Sequence, residues 1–137
     1  MDTKMLEFQQ SFTIEQKIAV IHNLLVVAQC DGELHPKEVD SIKLSAKALG
    51  IDFDVNNLSP LMLAMFRQNN IPLLNTLNKS QKEWFIIAMH TVMHSDGKVL
   101  ETEVQYCLII AEDIGISANE YKQILEKMDA LYNLFLK

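Results

Sequence analysis

Arginine occurs once in these 137 residues, at Arg67, and glycine, proline and cysteine are almost as scarce, at four, three and two copies. Each shortage removes a class of protein. Phosphate recognition draws on clustered Lys and Arg, and with 12 basic against 18 acidic residues and a formal charge of -6 the chain has no basic stripe to offer nucleic acid. So few Gly and Pro cannot punctuate a many-stranded sandwich, and the low content of turn residues also argues against disorder. Cys30 and Cys107 are too few for a disulfide framework. The opening residues Met1-Asp2-Thr3-Lys4-Met5 lack the basic and apolar regions of a signal peptide, so a cytoplasmic setting with reduced thiols is expected. Apolar runs are short as well: polar residues at His22 and Asn23, and again at His90 and Thr91, interrupt the two most apolar stretches before either could span a bilayer.

What is present is apolar and helical in rhythm. Hydrophobic residues make up 49% of the chain, enough for one domain over 1–137 to bury its core without disulfides or a structural metal. That content, with seven Met, also suits an adaptable contact surface, so a protein partner or homodimer is expected. After a weakly amphipathic start at Met5, Leu6 and Phe8, Thr13 with Gln16 three residues on predicts a capped helix running to about Cys30. Its buried stripe is Ile14, Ile18, Ile21, Leu24, Leu25 and Ala28, widened by Val20 and Val27. A second helix starts near Pro36, buries Val39, Ile42, Ala46 and Leu49, and stops at Gly50. Shorter helices are predicted from about Pro60 to Gln68 and from Pro72 to Leu77. The stretch from Lys79 to Ser95 is apolar nearly all round, which marks a central helix. Another follows from about Glu101 to Ile114, with Val104, Cys107, Leu108 and Ala111 inward. Ser117 and Glu120 cap the last, whose stripe runs through Tyr121, Ile124, Leu125, Met128, Leu131, Tyr132 and Phe135 to the C-terminus. The fold class is therefore all-α, a bundle of about seven helices.

The segment 13–51 recurs at 78–116, sixty-five residues on. Gln16/Gln81, Asp31/Asp96, Gly32/Gly97, Glu38/Glu103, Gly50/Gly115 and Ile51/Ile116 are identical pairs, and the other core positions stay mostly apolar. A duplicated helix-turn-helix unit explains this, each copy burying its stripe against the other.

The first copy reads Ala28-Gln29-Cys30-Asp31-Gly32-Glu33-Leu34-His35-Pro36-Lys37-Glu38. It resembles the Ala-x-x-Asp-Gly-x-(Ile/Leu)-x-x-x-Glu motif of TerB-like domains, found in tellurite-resistance proteins and at the N-terminus of some membrane-anchored J-domain co-chaperones. Counting the repeat, the likeness covers about Thr13 to Ile116. It implies an all-helical bundle of two related halves, no catalytic activity, and acidic residues that bind divalent cations in a stress-response setting. Association with a membrane protein is implied by the resemblance alone. By position the acidic residues are Asp31 and Glu38, with Asp96 and Glu103 as counterparts. The second copy departs from the first, with Lys98 in place of Glu33 and Met93 in place of Ala28.

The same carboxylates admit two readings. Asp31, Glu33 and Glu38 are the local oxygen donors for a cation such as calcium or magnesium, joined by Asp96 and Glu103 from the second copy. A complete calcium loop is excluded, because its first and third positions would be Val27 and Gln29, or Val92 and His94. Alternatively, with His35 as cap and Pro36 first in its helix, Glu38 reaches back to the cap N–H, Asp31 satisfies turn donors, and Gly32 and Gly97 serve the turn geometry. His90 and His94, four apart on a helix, are an alternative metal pair and the basis for a metal-dependent hydrolase reading. Thr91 stands where a zinc peptidase motif needs its general base, and His90 also reads as a satisfied buried histidine. The sequence is thus that of a non-enzymatic acidic binding module for a divalent cation or a protein partner, with the hydrolase or a self-associating helical scaffold as alternatives.

Overall fold

Two helices apolar around most of their circumference must find each other first, and in this chain they are α2 (Ile14–Ala28) and α6 (Lys79–His94). The computed structural model describes residues 3–29, 32, 34–95, 97 and 101–136, with side-chain surroundings for 7–29, 32, 34–95, 97 and 101–127. Ile18, Ile21, Leu24 and Val27 of α2 and Phe85, Ile86, Met89 and Met93 of α6 lie at the centre of one continuous core, each almost wholly buried. α3 (Pro36–Ala48) and α7 (Glu101–Asp113) each pack on both central helices. The short α4 (Pro60–Met65) and α5 (Ile71–Leu74) lie along α2, and α8 (Ala118–Leu136) packs on α6 and α7. The chain is all-helical among the described residues.

The helix starts are set by side chains that satisfy the orphan N–H groups of a first turn. Gln16 N donates to Thr13 Oγ1 at 3.0 Å, while Thr13 N donates to Gln16 Oε1 at 2.9 Å. Asn78 and Gln81 form the same box at α6, with both distances 2.9 Å. Ser117 and Glu120 form it at α8. The ends of α3 and α7 match too: Ile51 N reaches Ala46 O at 2.9 Å, and Ile116 N reaches Ala111 O at 2.8 Å.

The described chain has eight helices, where the sequence pattern suggests about seven. The additional one is α1 (Thr3–Gln10), the weakly amphipathic start. It is held by aromatic packing, with the Phe8 ring 5.2 Å from Phe12 and 6.1 Å from Trp84, and by Gln9 Nε2 donating to Ala48 O at 3.3 Å. Tertiary contact here supplies what local periodicity lacks. Two stripe positions are corrected. Ile14, the first residue of α2, is 48% exposed, and Leu108 is 42% exposed, with Ile110 turned inward instead. Val39 is half-buried. α4 ends three residues earlier than predicted, at Met65, and α5 ends at Leu74. Met128, Leu131, Tyr132 and Phe135 lie outside the described side chains.

A polar latch fixes the α4–α5 segment to α2. Asn70, buried, donates from Nδ2 to His22 Nδ1 at 2.7 Å and to Met65 O at 3.0 Å, and Phe66 stacks on the imidazole at 4.9 Å between centroids. The amide nitrogen can only donate, so Nδ1 is the unprotonated, accepting nitrogen of the ring. Burial holds the His22 pKa below its ordinary 6.5. A depressed value for a base stabilises the fold above the unfolded pKa, and that stabilisation drains away as pH falls through the folded one. His22→Gln is therefore expected to lower the melting temperature most at about pH 7, with the gap to the parent narrowing toward about pH 5. Thermal melts across that range check this, and a gap independent of pH would count against it.

Candidate functional site

The two helix junctions begin from the same backbone event. Gly32 has φ 87 and Gly97 has φ 79, the left-handed region that a side chain resists, and their N–H groups close back onto Gln29 O at 2.9 Å and His94 O at 3.1 Å. Each chain then enters a new helix, α3 behind Pro36 and α7 at Glu101. The third residue of each of these helices is a buried carboxylate, Glu38 at 2% exposure and Glu103 at 4%. Burying an ionised carboxylate is costly without donors, and Glu38 has one: His35 N donates to Oε1 at 3.3 Å. The helix N-terminus adds positive potential at the same place. Both carboxylates make further interactions.

Of the sequence-predicted cation ligands, Glu38 and Glu103 are thus located, each at the start of its own helix. Asp31, Glu33 and Asp96 lie outside the described residues, as do Cys30 and Lys98. Among the described residues no three His, Cys, Asp or Glu side chains converge as a metal-holding group. The described part of the first junction supplies one carboxylate, one of whose oxygens serves the cap, so a cation there would draw its other ligands from Asp31, Glu33 and backbone carbonyls.

The histidine pair separates into two environments. His90 is buried, at the position equivalent to Leu25, and its Nε2 is hydrogen-bonded to the Tyr121 hydroxyl of α8. His94 is exposed, its ring stacked on His90 at 5.9 Å between centroids. Burial, and then the neighbouring Cys107, push the Tyr121 pKa far above its ordinary value, so the phenol stays protonated and can donate to the imidazole. Cys107 is itself fully buried. One nitrogen of the pair is thereby committed to joining α6 to α8. Sequence reasoning identified His90 as a satisfied core histidine but not its partner, which stands thirty-one residues away with no local signal beyond being a polar group in an apolar stripe.

Residues 3–55 match the family model described as Tellurite resistance protein TerB. No curated protein and no solved structure gives a match. The matched stretch is similar to TerB and holds α1, α2 and α3 with the whole first junction, Asp31, Gly32, Glu33 and Glu38 included. No helix among the described residues is long and apolar enough to cross a membrane.

Removing the Glu38 carboxylate strips the first turn of α3 of an acceptor. Glu38→Ala is expected to cost about 1–2 kcal/mol in metal-free buffer, the range of a lost cap and a buried donor left unpaired. Glu38→Gln, which keeps an acceptor oxygen, should cost less. Urea denaturation of both variants in the presence of a chelator measures the difference.

Proposed function

We propose that this TerB-like chain is a non-enzymatic binding module whose acidic helix junctions take up a divalent cation, calcium or magnesium in kind, or a basic surface of a protein partner. The observation that carries the reading is that the family match encloses the first junction complete, together with the helices on either side of it. Asp31, Glu33 and Glu38 are the ligands of that junction, and Asp96 and Glu103 are their counterparts in a duplicated second unit. The first junction is the stronger of the two, since Lys98 takes the place of Glu33 in the second. Support for the duplication comes from matched local devices: the Gly32 and Gly97 turns, the Glu38 and Glu103 burials, and the two Asn/Thr–Gln capping boxes. Hard cations favour oxygen ligands, and carboxylates at the start of a helix are already held in place by backbone donors, which limits the ordering cost of binding. A stress-response role tied to tellurite resistance, in the cytoplasm, follows from the family alone.

The cation reading is tested by isothermal titration with calcium, magnesium, manganese and zinc. Saturable heat is expected for the parent, reduced at least tenfold in affinity by Asp31→Asn and less by Asp96→Asn. A flat titration for all four metals would sink the cation version and leave the basic-partner version standing.

A further inference from the structure

Outside the junctions, two helix faces carry exposed apolar side chains that the fold leaves unused. α3 turns out Leu44, at 70% the most exposed large apolar side chain among the described residues, flanked by the exposed Lys43 and Lys47. α7 turns out Ile109 at 57%, beside Leu108 and Tyr106, and ends in the exposed Glu112 and Asp113. Neither Lys43 nor Lys47, and neither Glu112 nor Asp113, is ion-paired; the described ion pair is Lys127 with Glu83, at 3.8 Å. The last turn of α7 has no basic residue, so its two carboxylates sit uncompensated at the negative end of the helix dipole, where a cation is favoured. The α3 face is therefore apolar with a mainly basic border, Lys43 and Lys47 outweighing the exposed Asp40 one turn before Leu44, and the α7 face is apolar with an acidic border.

The two faces do not meet within a chain. α3 and α7 each pack on both α2 and α6 and share no substantial contact with each other, which puts them in the two opposite grooves of the central pair. We propose that they meet between chains: the α3 face of one copy docks on the α7 face of a second copy. With the helices parallel and Leu44 set against Ile109, Lys47 comes level with Glu112, each lying three residues further on, about 4.5 Å along the axis. Leu108 and Tyr106 flank the Leu44 contact. The overall charge of -6 opposes association, but at physiological salt it is screened beyond about 8 Å, whereas the facing lysines and carboxylates are in contact. Because the surfaces differ, the contact is head-to-tail, and a pair of copies retains one free face of each kind, from which a ring or a chain grows. This contact lies away from the acidic junctions and does not depend on what they bind.

The test is the average mass of the full chain by light scattering as concentration rises to the millimolar range. The parent is expected to climb from 15.7 kDa toward multiples of it. Lys43→Glu/Lys47→Glu and Glu112→Lys/Asp113→Lys should each be monomeric alone, having two like-charged faces. Their equimolar mixture should regain the mass of the parent, because the acidic α3 of one then meets the basic α7 of the other, and the reverse. Leu44→Asp should abolish association by a separate route. All these side chains are exposed, so far-UV circular dichroism should show unchanged helix content. A parent that stays at one chain's mass, charge-reversed variants that associate as the parent does, or a mixture that stays monomeric would each overturn the proposal.

Discussion

The contact between α2 and α6 is the constraint on which the rest of the molecule depends. Each of these helices is apolar around more of its surface than a surface helix can be, and neither can be covered except by the other together with two flanking helices. Burying Phe85, Ile21 or Met89 contributes on the order of 2 kcal/mol apiece relative to exposure, so the central pair supplies much of the driving force for the fold. α3 and α7 then close the two remaining sides, and α8 completes the cover over α6. Two polar side chains drawn into this interior are tied off individually: Asn23 donates to Ala19 O at 2.8 Å, and His90 is joined to Tyr121.

The junctions inherit their geometry from that packing. For α2 to hand over to α3, and α6 to α7, the chain must reverse within a few residues while keeping both helices on the core. The left-handed glycine makes the reversal and the buried glutamate secures the start of the next helix. Any cation bound there would share ligands with the cap, so affinity and helix stability would be coupled through the same oxygen atoms.

Much of this was legible in the sequence because the signals are local. Thr13 with Gln16 and Ser117 with Glu120 announce helix starts within four residues, and the glycines that end α3 and α7 are equally plain. The reading that Glu38 reaches back to its cap is borne out by its bond to His35 N. What was not legible depended on long-range contact. α1 lacks a strong stripe and is held through Phe8 and Gln9 by residues far along the chain. Ile14 and Leu108 fit a helical period and yet are exposed, since periodicity alone does not say which residues a neighbouring element covers. The partnership of His22 with Asn70 crosses forty-eight positions and leaves no trace in spacing.

Gly50 and Gly115 end α3 and α7 in the same way, with φ 77 and φ 83, but their surroundings differ. A β-carbon on Gly50 would lie 2.8 Å from the Gln9 side chain, while one on Gly115 would meet nothing within 4 Å. The N-terminal helix has therefore claimed the end of α3 and left the matching end of α7 open to solvent. Substitution at the first glycine is thus checked twice, by backbone and by neighbour, and at the second by backbone alone. The open end is the place where an insertion, an extension or a newly evolved contact would meet least resistance.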